Sequence, residues 1–135
     1  MTAAAGGHRI LLIDDDDDFV ELATILLKEQ GHQLSAARSG LEGLAALRAD
    51  PTAVDWIVTD MNLIGATGLE IARELLAIRP GVPIVLCSGD VSEAMRAEAR
   101  LIGIRAVLVK PIQVELMCEE LVQLIAASQV GNRDD

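Results

Sequence analysis

Apolar residues along the chain fall into five short runs, which alternate with longer stretches where they recur at helical spacing. The runs occupy residues 10–13, 33–37, 54–59, 84–87 and 106–109. Four of them are continuous and rich in β-branched side chains, as is typical of strands buried on both faces of a sheet. In the second run Leu34 and Ala36 stand between polar neighbours, which suits a strand at the edge of the sheet.

Between the runs, apolar residues recur every three or four positions, which predicts amphipathic helices. In the first and last of these stretches they are Phe19, Ala23, Leu26 and Leu27, and Met117, Leu121 and Leu124. Gly31 and Gly103 fall where the first and fourth helices should end, the usual place for a residue in the left-handed conformation.

The starts of four helices carry a capping-box pattern, in which a short polar residue is followed three positions later by Glu. The pairs are Asp18 and Glu21, Ser39 and Glu42, Thr67 and Glu70, and Asp90 and Glu93. Each pair follows a predicted strand or its loop, so both patterns indicate the same alternation. Strands alternating with helices predict an α/β fold, with a doubly wound, five-stranded parallel sheet and right-handed crossovers.

The size and charge of the chain narrow the class further. A chain of 135 residues, 51% of them hydrophobic, fits one domain; we expect it over residues 8–128, with flexible tails at 1–7 and 129–135. A net charge of −10 argues against a surface for nucleic acid or anionic membranes. With no long apolar run or secretory signal, and with Cys87 and Cys118 interpreted as reduced thiols, we expect a cytoplasmic protein.

The candidate functional residues, which carry carboxylate, hydroxyl or ammonium groups, lie at the ends of the predicted strands. The first strand runs into five consecutive aspartates that begin with Asp14 and Asp15, and the third strand ends in Asp60. Ser88 ends the fourth strand, and Lys110 ends the fifth. Because the carboxyl ends of parallel strands form the binding edge of an open sheet, we expect these five side chains to converge.

Carboxylates brought together in this way repel one another, by roughly 4 kcal/mol for two charges about 4 Å apart at an effective dielectric near 20. A hard divalent cation would remove this repulsion, and oxygen ligands suit Mg²⁺, which usually keeps several waters and a phosphate. The pattern therefore indicates a site for Mg²⁺ (or Mn²⁺) at which an aspartate attacks a phosphoryl group. Lys110 and Ser88 would bind the phosphoryl oxygens.

With these residues the sequence resembles the receiver domain of bacterial two-component response regulators, over residues 8–128. The likeness consists of Asp14-Asp15 after the first strand, Asp60, Ser88-Gly89 and Lys110-Pro111. It implies a flavodoxin-like (βα)5 fold with strand order 2-1-3-4-5. It also implies phosphorelay signalling, in which a sensor histidine kinase or phosphotransfer protein supplies the phosphoryl group to a domain that then acts on a downstream target or output domain.

The resemblance also implies the metal ligands and the phosphoacceptor. Asp60 would accept the phosphoryl group. Asp14, Asp15 and Asp60, with the backbone carbonyl of Asn62, would hold the metal ion. Such a domain catalyses at most its own phosphorylation and dephosphorylation, so we do not expect a conventional enzyme.

The remaining implied roles concern the switch. Ser88 would move toward the phosphoryl group, with Gly89 beside it, and Lys110 would pair with that group. A cis peptide bond would precede Pro111, as such bonds occur almost only before proline.

Three positions depart from the pattern of the family. Val107 stands where an aromatic residue is common, Ile64 where a proline is common, and Thr67 where an acidic residue often precedes the glycine, here Gly68. Phosphorylation remains compatible with these changes, whereas the usual route of signal relay lacks its aromatic side chain.

Two other functions compete with phosphoacceptance. One is a docking module that keeps the fold and signals without phosphorylation, which Val107 and Ile64 would favour. The other is a Mg²⁺-dependent phosphatase with Asp14 as nucleophile and Asp16 as its second acid, although no inserted segment is present to cover a substrate. A dinucleotide-binding enzyme is disfavoured because no GxGxxG follows the first strand.

Several other polar residues have simpler interpretations. We expect Asp16 and Asp17 to be solvated loop residues, and His8 and His32 to have no catalytic role. We expect Trp56 to be buried at the start of the third strand.

Overall fold

The computed structural model describes residues 7–109 and 113–134, with side chains described as far as Ser128. The five strands of its main sheet are β1 (Arg9–Ile13), β2 (Gln33–Ala37), β3 (Trp56–Asp60), β4 (Ile84–Ser88) and β5 (Ala106–Val109). The helices are α1 (Asp17–Glu29), α2 (Gly40–Ala49), α3 (Gly68–Ile78), α4 (Glu93–Ile102) and α5 (Val114–Asp134), and a 3₁₀ turn covers Pro51–Ala53.

The five strands pair in the order β2-β1-β3-β4-β5, and every pair is parallel. This confirms the α/β fold and the strand order 2-1-3-4-5. The register aligns Ile13 with Ala37 and Thr59, and it aligns Asp60 with Cys87. The carboxyl ends of the strands therefore stand level with one another.

The two edges of the sheet differ from its centre. β2 lies at one edge, as its polar pattern predicts. β5 forms the other edge, and the side chain of Val109 is 49% exposed. The prediction that the fifth run is buried on both faces was therefore wrong, because an edge strand keeps solvent contact even where its residues are all apolar.

Side chains alternate between two cores, one on each face of the sheet. Ile13, Ile57 and Leu86 belong to the core that packs against α2, α3 and α4. Leu12 and Val58 belong to the core that packs against α1 and α5. Trp56 is buried in this second core, as expected.

Two of the four predicted helix starts are confirmed. The hydroxyl of Ser39 accepts a hydrogen bond from the amide of Glu42, and Thr67 and Glu70 form a complete capping box. The other two were wrong by two residues, since α1 is capped by Asp16 instead of Asp18, and α4 by Ser92 instead of Asp90. In both cases a second residue with a capping side chain lies within the same loop.

The two predicted helix ends are confirmed, whereas the last helix is longer than the predicted domain. Gly31 and Gly103 both have positive φ and follow α1 and α4, as predicted. α5 continues past residue 128, where we set the domain boundary, as far as Asp134. Residues 1–6 of the predicted N-terminal tail lie outside the described residues, so the flexibility of the tails stays a prediction.

A short hairpin that the sequence analysis did not predict follows β3. Asn62–Leu63 pairs antiparallel with Ala66–Thr67, and Gly65 in its turn has a φ of 80°. The hairpin joins the end of β3 to the start of α3, at the edge of the sheet where the acidic residues lie.

Across residues 7–109 and 113–134, no helix has both the length and the apolar character that crossing a membrane requires.

Candidate phosphoryl-transfer site

Two buried aspartates end neighbouring strands. Because Ile13 is aligned with Thr59, Asp14, directly after β1, lies level with Asp60, the last residue of β3. Adjacent strands lie about 4.8 Å apart, so these two residues are close neighbours. Asp14 is 4% exposed and Asp60 is 8% exposed, whereas Asp15 is exposed. The structure thus places the three predicted carboxylates at one edge of the sheet, and two of them are buried there.

Backbone contacts fix the first of these acids. The amide of Asp14 donates to the carbonyl of Ala37 at 3.0 Å, which continues the pairing of β1 with β2. Its Oδ1 accepts a hydrogen bond from the amide of Asp16 at 2.9 Å. The carboxylate of Asp14 is thereby held at the point where the chain turns from β1 into α1.

The rest of the aspartate run has structural contacts. Asp16 caps α1 by accepting a hydrogen bond from the amide of Phe19 at 3.1 Å. Asp17 forms an ion pair with Arg38, whose hydrogen bond and positive charge hold the pKa of Asp17 below its usual value. Asp16 and Asp17 are both exposed, as expected, but they are more than loop residues, since Asp16 caps α1 and Asp17, the first residue of α1, pairs with Arg38 in the loop after β2.

Ser88 is buried at the end of β4 and bonded to the following loop. Its Oγ donates to the carbonyl of Asp90 at 3.2 Å and accepts from the amide of Asp90 at 3.3 Å. Side-chain alternation places Ser88 on the sheet face of Leu86, and Asp60 on the face of Val58. The two side chains therefore leave the sheet on opposite faces. Gly89, beside it, is exposed.

The hairpin after β3 is bonded to the end of that strand. The amide of Met61 donates to the carbonyl of Cys87 at 2.8 Å, and the carbonyl of Met61 accepts from the amide of Gly68 at 2.7 Å. Asn62, whose carbonyl is the predicted metal ligand, directly follows Met61, which makes both of these bonds, and it is exposed. The backbone before Asn62 is therefore held by both β4 and α3.

The donor atoms fit a hard cation. The predicted ligands Asp14, Asp15, Asp60 and the Asn62 carbonyl offer oxygen alone, which suits Mg²⁺. Among the residues that the structure describes, no group of three or more His, Cys, Asp or Glu side chains is placed to hold a metal ion by itself. A cation here would therefore also need the backbone carbonyl or water, as Mg²⁺ usually does.

Two predicted site residues, Lys110 and Pro111, lie outside the described residues. Val109, the residue before them, is aligned with Ser88. The sequence analysis missed three residues that contact the site or its loops, namely Asp16, Arg38 and Gly68. The sequence marks Gly68 only as the residue after the predicted cap Thr67, and no local pattern indicates its contact with the backbone at the end of β3.

Comparison with known proteins gives consistent matches. The sequence model of one protein family, the response regulator receiver domain, matches residues 10–122 of this chain. A response regulator receiver protein of Anaeromyxobacter sp. (strain Fw109-5) is 33% identical over 96 residues, which are 71% of this chain and 40% of that protein. The transcriptional regulatory protein GlrR of Escherichia coli (strain K12) is 26% identical over 104 residues, 76% of this chain and 22% of GlrR.

A solved receiver-domain structure from Methanospirillum hungatei JF-1 has a TM-score of 0.80 and 22% sequence identity, and covers 92% of this chain and 98% of its own. At this identity the likeness shows the fold alone. The chain spans less than half the length of each of these two curated relatives.

Proposed function

The chain belongs to the response regulator receiver family, and we propose that it accepts a phosphoryl group on Asp60 and thereby changes how it binds a partner. The observation that carries this proposal is the place of Asp60, at the carboxyl end of the central strand with a buried aspartate level with it. A receiver domain is a signalling domain, and we do not assign a conventional enzymatic activity to it.

The chemistry requires one bond to form and one to break. A carboxylate oxygen of Asp60 attacks phosphorus and forms an acyl phosphate, while the bond from phosphorus to the donor breaks. The donor atom keeps the electron pair and takes up a proton. Bound Mg²⁺ would neutralise charge on the phosphoryl oxygens. Asp14, Asp15, Asp60 and the carbonyl of Asn62 are the residues that would hold it.

Ser88 and Lys110 are proposed to bind the phosphoryl group after transfer. Ser88 follows Cys87, which is aligned with Asp60, and its hydroxyl is bonded to Asp90, so it has a defined starting position. Gly89 would give that loop room to move, and Lys110 would supply the positive charge.

The partners and the location are proposed from the family. A sensor histidine kinase or phosphotransfer protein in the cytoplasm would supply the phosphoryl group. The relatives are longer proteins, one of them named a transcriptional regulator, so the downstream target or output domain of this chain is a matter for binding experiments.

Intact-mass measurement after incubation with acetyl phosphate tests the proposal. Wild-type protein should gain one phosphoryl group with Mg²⁺ and far less after chelation, and Asp60→Asn should gain none. Labelling of Asp60→Asn to the wild-type extent would contradict the assignment of Asp60.

A phosphorylation-independent docking module is the second candidate, because two observations favour it. Ile64 is 82% exposed at the turn of the hairpin beside the site, and Val107 packs partly against the core in place of an aromatic side chain. Wild-type protein that stays unlabelled while a known receiver is labelled in parallel would favour this candidate.

A further inference from the structure

Two helices of the chain begin with nearly the same four residues. α2 begins in Ser39-Gly40-Leu41-Glu42, and α3 begins in Thr67-Gly68-Leu69-Glu70. In each, the hydroxyl of the cap accepts a hydrogen bond from the glutamate amide at 3.1 Å, and the glycine is the first helical residue. The local sequence therefore gives no reason for the two glycines to differ.

The surroundings of the two glycines do differ. A Cβ atom on Gly40 would lie 2.4 Å from Cδ1 and 2.6 Å from Cγ1 of Ile71, which belong to a side chain able to rotate. A Cβ atom on Gly68 would lie 2.6 Å from the carbonyl oxygen of Asp60 and 3.0 Å from Cα of Met61, which are backbone atoms. It would also lie 2.6 Å from Cδ1 of Leu86.

The backbone that Gly68 approaches has little freedom to move. Asp60 is paired within the sheet, and its carbonyl oxygen accepts a hydrogen bond from Oγ1 of Thr59 at 3.1 Å. Met61 is bonded to β4 through its amide and to Gly68 through its carbonyl. Gly68 does not have positive φ, so the space it leaves, and not its backbone conformation, explains the glycine.

We propose that Gly68 is a positioning residue for the phosphoacceptor: its missing side chain lets the first turn of α3 lie directly against the backbone of Asp60. This inference rests on the proposed function. A methyl group at residue 68 would displace either Asp60 and Met61 or the start of α3. Both displacements change the position of the Asn62 carbonyl relative to the carboxylate of Asp60.

Gly68→Ala and Gly40→Ala make a matched pair for the test, because each adds one methyl group at the first residue of a helix with the same cap. We expect Gly68→Ala to be phosphorylated by acetyl phosphate at least about tenfold more slowly than wild type, since misplacement by an ångström costs on the order of a hundredfold. Its affinity for Mg²⁺ alone, followed by NMR of the Asn62 and Gly65 amides, should fall as well. Gly40→Ala should match wild type within about twofold in both measurements.

The outcomes separate this inference from the proposed function. If wild type is not labelled, the proposed function fails, and the Mg²⁺ titration still tests the role of Gly68. If wild type is labelled and the two alanine variants have equal rates and equal Mg²⁺ affinities, the positioning role is overturned.

Folding is controlled by a third variant, in which Gly68→Ala is combined with Leu86→Val. The second change removes the δ-methyl contact and leaves the backbone contact with Asp60. Phosphorylation that stays slow in this folded double variant, relative to Leu86→Val alone, supports the inference. Recovery of the rate of Leu86→Val would assign the effect to packing against Leu86 and overturn it.

Discussion

The two ends of the sheet hold charged residues in opposite ways. At the amino end, Asp55 accepts hydrogen bonds from the backbone amide of Arg9 at 2.8 Å and from its Nε at 3.4 Å. Burial acts to raise the pKa of Asp55, yet these bonds and the charge of Arg9 together hold that pKa below its usual value. At this end Asp55 therefore has a partner of opposite charge.

Two further contacts complete the amino end. The guanidinium of Arg105 lies 5.3 Å from the ring centre of Trp56. The amide of His8 donates to Nδ1 of the buried His32 at 3.1 Å, and their rings are 5.6 Å apart. These contacts join the residue before β1 to the residue before β2, and β3 to the residue before β5.

At the carboxyl end, two buried acids instead lie side by side. Asp14 and Asp60 lie at the carboxyl ends of adjacent strands, and Asp15 is the residue after Asp14. The two ends therefore differ in how they hold an acid: Asp55 at the amino end is paired with Arg9, whereas Asp14 and Asp60 at the carboxyl end lie next to each other, as the proposed binding of a cation and a phosphoryl group would require.

The largest expected effect is on the phosphorylation rate, which should fall when an acid is removed at the carboxyl end of the sheet and not when one is removed at the amino end. Asp15→Asn should slow Mg²⁺-dependent phosphorylation at least about tenfold, because loss of a group that supports a metal typically costs ten- to a hundredfold in affinity or activity. Asp55→Asn, the matched change at the amino end, should leave the rate as in wild type. Rates from intact mass over time test both, and equal slowing by the two variants would remove the proposed division.

Removing an acidic charge should change the free energy of unfolding in opposite directions at the two ends of the sheet. Without Mg²⁺, Asp60→Asn should raise the free energy of unfolding by about 1 kcal/mol, since like charges in neighbouring positions repel. Urea denaturation with and without Mg²⁺ tests this. Added Mg²⁺ should stabilise wild type more than the variant, and a destabilised Asp60→Asn protein in chelator would show that Asp60 instead contributes to the fold.

At the amino end, removing the charge should weaken the protein. Asp55→Asn loses the charged partner of Arg9, which is half exposed, so we expect a loss of roughly 0.5–1 kcal/mol. Urea denaturation in low salt measures this loss, and in high salt it should shrink. No change in low salt would mean that the ion pair contributes nothing.

The smallest effect concerns pH at the amino end. Burial, and then the neighbouring charge of His8, lower the pKa of His32. The unfolded chain therefore takes up a proton near pH 6.5 that the folded protein resists, so stability is full above about pH 6.5 and declines as the pH falls below it. His32→Asn keeps an acceptor near the amide of His8 and should flatten the dependence between pH 6.5 and 5.5. An unchanged slope would assign the effect to other groups.

Much of the fold followed from the sequence because its signals were local and agreed. The apolar runs gave the bounds of β2 and β5 correctly, and the spacing of Ser39 with Glu42 and of Thr67 with Glu70 gave two helix starts. The start of α1 was misplaced because every residue from 14 to 18 is an aspartate, so a local pattern has no means of selecting Asp16.

The site was predictable to the extent that it is made of strand ends. Asp14, Asp60 and Ser88 are buried at the same edge, which topology alone brings about. The role of Arg38 as partner of Asp17 and the contact of Gly68 with Asp60 were not predictable, because they depend on how loops from distant parts of the chain pack together.

The location of the phosphoryl group is the most direct test of the account. Wild-type protein phosphorylated with acetyl phosphate and Mg²⁺ would be reduced with borohydride, which converts an acyl phosphate at aspartate into a stable alcohol, and then digested and mapped by mass spectrometry. The account predicts a single modified residue, Asp60. Modification at Asp14 or Asp15 with Asp60 intact would contradict it.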